Sequence, residues 1–139
     1  MTGYRLMSSD QHTGAVLLVE DEPLIRMAAA DTFEDAGVPC FEAGDADEAL
    51  LTLDQRPEIG VLFTDIDMPG SMDGLELAEV VREKRPEIEL IVTSGKCSYS
   101  DGELPGSGTF LPKPYPGARL IELVKEKLAS SARRRAAGN

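Results

Sequence analysis

The sequence predicts an α/β fold: a parallel sheet covered by helices on both faces. Three observations predict it. Apolar runs of strand length alternate with segments of helical periodicity, each pair taking roughly 20–25 residues. Glycine or proline punctuates most of the boundaries. Groups capable of chemistry recur at the carboxyl ends of the strands, the edge where open α/β sheets place their sites.

Residues 1–13 are polar and patternless and are expected to form a loose tail before a domain spanning 14–131. Ala15 to Val19 is an apolar run ending at Glu20-Asp21-Glu22. Pro23 follows where a helix can start, because the missing N–H costs nothing in a first turn. Ile25, Ala28, Ala29, Thr32, Phe33 and Ala36 recur at helical spacing, and Gly37 is a stop signal. Val38 to Glu42 reads as a short strand. Ala46, Ala49, Leu50 and Leu53 mark a second helix, between Gly44-Asp45 and Pro57. The run from Ile59 to Thr64 reads as a buried parallel strand that delivers Asp65 into a loop. Leu75, Ala78 and Val81 mark a helix closed by Arg85-Pro86, and Asp73-Gly74 before it reads as turn and cap. Glu89 to Thr93 and Thr109 to Leu111 are the last two strands, and Leu120, Ile121, Val124 and Leu128 give a helix ending near Ser131.

One segment breaks the alternation. Between Ser94 and Ser107 lie three glycines, one proline and four serines, where a further helix belongs. That composition opposes a long helix, so at most a turn or two is expected, with high mobility.

The 139 residues suit one domain with a real core. No apolar run approaches the roughly 20 residues needed to span a bilayer, and the N-terminus lacks a secretory pattern. Cys40 and Cys97 have no metal-like spacing, which fits a reduced, cytoplasmic setting. Net charge is −11; setting aside Arg133, Arg134 and Arg135 leaves 11 basic against 25 acidic groups, a net of −14. Such a body repels nucleic acid and anionic membrane and suits basic partners or a recruited cation. The arginine run itself reads as part of a solvated basic tail over 132–139.

Collected at the strand ends are Glu20 and Asp21, then Asp65, then Thr93 and Ser94, then Lys113. Three carboxylates in one pocket repel; at an effective dielectric of ~20 each close pair costs about 4 kcal/mol before screening. A hard divalent cation relieves that cost, and Mg²⁺ keeps waters for a phosphate-bearing ligand. A threonine hydroxyl and a lysine beside it suit a phosphoryl group, with Asp65 as a nucleophile able to form an acyl phosphate. Each group also has an ordinary structural use. Glu20 and Asp21 could cap a helix, Thr93-Ser94-Gly95 could be a strand-exit turn, and Lys113 could be a solvated lysine. Their coincidence at one sheet edge favours the chemical reading.

With those residues in place, the chain resembles the receiver domain of bacterial two-component response regulators. The resemblance rests on Val-Leu-Leu-Val-Glu-Asp-Glu-Pro (16–23), Thr-Asp-Ile-Asp-Met-Pro-Gly (64–70) with Asp73-Gly74, Ile-Val-Thr-Ser-Gly (91–95) and Phe-Leu-Pro-Lys-Pro-Tyr (110–115). It implies a flavodoxin-like, doubly wound, five-stranded parallel sheet of order 2-1-3-4-5, with the family's fourth helix short or disordered here. It implies that Asp65 accepts a phosphoryl group, that Glu20 and Asp21 hold Mg²⁺ together with Asp65 and the backbone carbonyl of Asp67, and that Lys113 contacts the phosphoryl oxygens. Thr93 is then the switch hydroxyl and Phe110 the aromatic switch residue, which lacks a hydroxyl and must respond to packing. Ser94 stands at a position kept small for phosphodonors, Asp67 is expected to influence hydrolysis, and the Lys113–Pro114 bond is often cis in the family. The loop after Asp65 is one residue longer than the common form.

The function this implies is a stand-alone receiver with no output domain. A sensor histidine kinase or phosphotransfer protein would phosphorylate it, and it would signal by binding a downstream protein or by phosphorelay. No nucleic acid or membrane partner is expected, and homodimerisation is left open. It is not expected to be an enzyme beyond its own phosphorylation and dephosphorylation. The alternatives are a degenerate receiver serving as a phosphorylation-independent scaffold and a haloacid-dehalogenase-type phosphatase. Against the phosphatase stand the central position of its Asp-x-Asp motif, Pro69 where a Thr or Val is usual, and the lack of a cap. Ser94-Gly95-Lys96-Cys97 fits neither a P-loop nor a flavin phosphate loop.

Overall fold

The structure, a computed structural model, describes residues 14–106 and 108–138. The tail expected over 1–13 lies outside the described residues. Five strands form one sheet: β1 (Ala15–Val19), β2 (Cys40–Ala43), β3 (Ile59–Asp65), β4 (Glu89–Ser94) and β5 (Thr109–Pro112). All neighbours are parallel and the spatial order is β2-β1-β3-β4-β5, the doubly wound order implied above. Four helices accompany them: α1 (Pro23–Asp35), α2 (Ala46–Gln55), α3 (Gly74–Lys84) and α4 (Gly117–Gly138).

Strand alternation divides the core in two. Leu17, Val19, Leu62, Leu90 and Val92 face α2 and α3, meeting Ala49, Leu53, Leu77, Ala78 and Val81. Val16, Leu18, Val61, Phe63 and Ile91 face α1 and α4, meeting Phe33, Leu120, Val124 and Leu128. The period-2 alternation with both faces buried explains why the strands read as continuous apolar runs. Phe63 is wedged edge-on between Phe33 and Tyr115, with ring centroids at 6.3 and 5.7 Å.

Helix starts follow local chemistry. Asp45 caps α2 by accepting the Glu48 N–H, and Asp73 with Glu76 forms a capping box at α3. The expected turn-and-cap role of Asp73-Gly74 is what the structure has. Gly74 also permits the approach of α3 to the end of β3, since a Cβ there would collide with the Asp65 carbonyl. The N-cap of α1 is Glu22, and it makes no side-chain cap bond. Glu20 Oε2 instead accepts the Glu22 N–H at 3.1 Å, so this acid does meet the backbone at the helix entry, while its other oxygen faces Lys113.

Among the described residues no α-helix lies between β4 and β5. A single 3-10 turn (Asp101–Glu103) stands there, as the glycine- and serine-rich composition requires. Tyr99 is the one half-buried residue between Gly95 and Ser100. It packs edge-on against Phe110 at 5.9 Å, and Leu104 plugs the core below it.

The C-terminal end differs from expectation. The last helix does not stop near Ser131, and residues 132–138 are not a separate tail: α4 runs to Gly138. Long-range partners hold the extension. Ser131 Oγ donates to the Glu87 carbonyl at 2.7 Å, and Ser130 Oγ to Glu89 Oε2 at 2.8 Å. Arg134 Nε pairs with the same Glu89 oxygen at 3.2 Å, and the Arg134 guanidinium also donates to the Pro86 carbonyl. Arg135 donates to the Pro57 and Ile59 carbonyls and faces Glu87. Glu89 is 4% exposed, so an unpaired charge there would be costly. Burial acts to raise the Glu87 carboxyl, but the Arg85 hydrogen bond and the charges of Arg85 and Arg135 outweigh it and hold the carboxyl below its ordinary 4.5.

Deleting residues 133–139 should therefore lower the unfolding free energy by roughly 1–3 kcal/mol at neutral pH, read by urea denaturation. A carboxyl lowered in the folded state contributes stability above its unfolded pKa and loses it as pH falls through the lowered value. The deletion should thus cost less in acid. A change under about 0.5 kcal/mol at neutral pH would return the arginines to a solvated tail.

Candidate functional site

The sheet order brings the ends of β1, β3, β4 and β5 together, and with them every side chain singled out at the strand ends. Asp65 is paired in register with Thr93, and Val19 with Thr64, so Glu20 leaves β1 beside Asp65. Lys113 leaves β5 with its N–H on the Ser94 carbonyl at 3.1 Å, and the Lys113–Pro114 bond is cis. The lysine reaches over β4: Nζ is 3.2 Å from Asp65 Oδ2 and 3.4 Å from Glu20 Oε1.

Glu20, Asp21 and Asp65 each offer an oxygen within 4.8 Å of the others. Glu20 and Asp65 are buried and Asp21 half-buried. Burial pushes the Glu20 carboxyl up, and the Asp65 charge adds to that; the Glu22 N–H on Oε2 and the Lys113 ammonium act the other way. Burial opposes the Lys113 ammonium, yet the hydrogen bonds and charges of Asp65 and Glu20 prevail and raise its pKa. One ammonium thus faces a buried acidic cluster that it does not neutralise, the setting a divalent cation suits.

A second observation fits the same chemistry. Thr93 Oγ1 is buried without a hydrogen-bond partner among the described residues, opposite Asp65 in the sheet register. An orphaned buried hydroxyl costs on the order of 1–3 kcal/mol. It is a ready donor for an oxygen-rich group seated on Asp65. Carboxylate oxygens, a lysine and an orphan hydroxyl fit Mg²⁺ with a phosphoryl group.

Asp67 donates its N–H to Asp65 Oδ1 at 3.2 Å. Its carboxylate stands apart from the acidic cluster, because Oδ2 accepts the Ser94 hydroxyl at 2.7 Å. Sequence reasoning gave Ser94 a small-residue role and a place in a strand-exit turn, and missed this bond. The longer loop after Asp65 leaves the sheet edge through Gly70 at φ +113° and anchors Ser71 Oγ on Asp47 Oδ1 of α2 at 2.9 Å. Phe110 is half-buried on the side facing α2 and α3, against Tyr99. Tyr99 was also missed; its signal was a lone aromatic in a polar stretch. Cys40 takes no part: burial, with Glu42, pushes its thiol up to about 12.

Residues 16–125 match the response regulator receiver domain. The chain belongs to the receiver domain family of response regulators. The receiver is 33% identical over 125 residues to the nitrogen assimilation regulatory protein NtrX of Azorhizobium caulinodans, covering 86% of this chain and 27% of that protein. It is 34% identical over 120 residues to the sensor kinase CckA of Brucella abortus, covering 84% of this chain and 13% of the kinase. It therefore spans about a quarter or less of these two relatives. A solved CheY-like receiver from Methanospirillum hungatei superposes with a TM-score of 0.76 at 25% identity, covering 87% of this chain and 98% of that one. NtrX from Brucella abortus gives 0.78 at 29%, covering 90% of this chain and 29% of that one.

Replacing Thr93 with Val should stabilise the unphosphorylated receiver by about 1 kcal/mol in denaturant unfolding, because it removes an unpaired buried hydroxyl. A loss of similar size would mean that the hydroxyl has a partner.

Proposed function

We propose that this receiver takes a phosphoryl group onto Asp65 from a phosphohistidine on a sensor histidine kinase or phosphotransfer protein. In the phosphorylated state it would then bind a downstream protein or pass the group onward in a relay. The convergence of Glu20, Asp21, Asp65 and Lys113 with the orphan hydroxyl of Thr93 carries this reading.

Glu20, Asp21 and Asp65 would hold Mg²⁺, joined by the Asp67 carbonyl. The cation, when bound, supplies positive charge against the incoming phosphoryl oxygens. In the transfer, an Asp65 oxygen bonds to phosphorus as the bond from phosphorus to the imidazole nitrogen breaks. Lys113, already 3.2 Å from Asp65 Oδ2, would pair with a phosphoryl oxygen as a point charge. Thr93 would donate its free hydroxyl to another oxygen, drawing the end of β4 inward. Phe110 and Tyr99 pack beside that strand and would register the movement.

The activity would be limited to phosphorylation and hydrolysis at its own aspartate, and the receiver would act as a phosphorylation-controlled switch in the cytoplasm. Among the described residues no helix is long and apolar enough to cross a membrane. The scaffold alternative has less support, because the acidic cluster, hydroxyl and lysine are all in place. The phosphatase alternative would need the second aspartate free for acid–base work, whereas Ser94 holds Asp67.

Incubation with Mg²⁺ and a small phosphodonor, followed by intact mass, tests the proposal. Wild type should gain one phosphoryl group only when Mg²⁺ is present. Asp65→Asn should gain none, and Lys113→Met should lose at least tenfold in labelling rate, about 1.4 kcal/mol of barrier. Equal labelling of wild type and Asp65→Asn would overturn the assignment.

A further inference from the structure

The hydroxyl of Ser94 is fully committed. The residue ends β4 and is 2% exposed. Its Oγ–H donates to Asp67 Oδ2 at 2.7 Å, the short distance of a charge-assisted bond. The same oxygen accepts the N–H groups of Lys96 and Cys97, each at 3.0 Å. One donor and two acceptor sites are thus all used. Two N–H groups on the oxygen polarise the hydroxyl toward donation, so the three bonds reinforce one another.

Asp67 carries the connection onward, through its N–H on Asp65 Oδ1. A continuous chain runs from the acceptor carboxylate through Asp67 and Ser94 into the turn that opens the segment without a helix. The sheet order gives this chain a side. Ser94 lies toward β4, while Glu20 and Asp21 lie toward β1. The bond therefore keeps the Asp67 carboxylate away from the acidic cluster and fixes it beside the acceptor. No protein donor reaches its Oδ1 among the described residues, which leaves that oxygen able to accept from a water approaching Asp65.

We propose that Ser94 is a positioning residue that sets the lifetime of a phosphoryl group on Asp65 by holding the Asp67 carboxylate, and that it ties this lifetime to the conformation of residues 95–97. The inference rests on the acceptor role of Asp65 given above. In the hydrolysis, a water oxygen bonds to phosphorus and the bond from phosphorus to the Asp65 oxygen breaks. Asp65 leaves as a carboxylate, one water proton stays on the phosphate and the other passes to solvent. A fixed Asp67 orients that water; a carboxylate free to rotate does so only part of the time.

A double-mutant cycle on the full chain tests this. Wild type, Ser94→Ala, Asp67→Ala and the double variant are labelled with Mg²⁺ and a small phosphodonor, the donor is removed, and loss of the label is followed by intact mass. Ser94→Ala should lengthen the lifetime roughly threefold to tenfold, and should add nothing in the Asp67→Ala background. In the unphosphorylated proteins, amide exchange at Lys96 and Cys97 should accelerate in both Ser94→Ala and Asp67→Ala. A lifetime in Ser94→Ala within about twofold of wild type, or an equal change in both backgrounds, would overturn the inference while leaving Asp65 as acceptor. Failure of wild type to label at all would overturn both. A serine that merely closed its own turn would leave the lifetimes alone and leave exchange in Asp67→Ala unchanged.

Discussion

The contact between Lys113 and the pair Asp65 and Glu20 is the constraint around which the site is arranged. Two buried carboxylates and a half-buried third stand within 4.8 Å of one another, with one ammonium over them. Such a cluster is unfavourable by several kcal/mol unless charge is brought to it. The surrounding structure holds it in place. The parallel register sets β1 and β4 on either side of Asp65, the capping box and Gly74 seat α3 against its carbonyl, and the lysine reaches across β4. The site thus has a charge deficit and an unpaired donor in Thr93, and a phosphoryl group with its cation would answer both.

Much of this was legible in the sequence, because it depends on local signals. Strands buried on both faces must be apolar throughout, which exposed β1, β3 and β4. Pro23 and the Asp73-Gly74 pair marked helix starts by their backbone chemistry. The acids, Thr93 and Lys113 could be gathered because each follows a strand. What stayed hidden depends on partners distant in sequence. Alanines and arginines after Ser131 have no apolar period to announce a helix, and Glu89 and Glu87, more than forty residues earlier, supply their anchors. The Ser94–Asp67 bond was hidden for the same reason: two short polar side chains near turns have many uses, and only the register between β3 and β4 makes them neighbours. The phosphoacceptor role proposed for Asp65 came from family resemblance combined with the strand-end pattern; the family match bears out the membership.

The segment between β4 and β5 gives this receiver its individual character. A helix there would present a rigid face. Here a 3-10 turn, the ring of Tyr99 on Phe110 and the side chain of Leu104 secure a stretch whose described residues are otherwise mostly exposed. Few packed side chains hold this stretch, so small displacements at Thr93 or Phe110 would change it at low cost. The opposite pole, clamped by Arg85, Arg134 and Arg135, has no comparable freedom.

On the proposed function, charge arriving at Asp65 is read out through the exit of β4. Backbone amide chemical shifts, recorded with Mg²⁺ and with and without a phosphoryl mimic, test it most directly. The largest changes are expected at Thr93 through Ser100 and at Phe110 through Lys113, with the arginine-clamped pole unmoved. Changes confined to the immediate neighbours of Asp65, or larger at residues 85–89 and 130–136 than beyond Thr93, would contradict it.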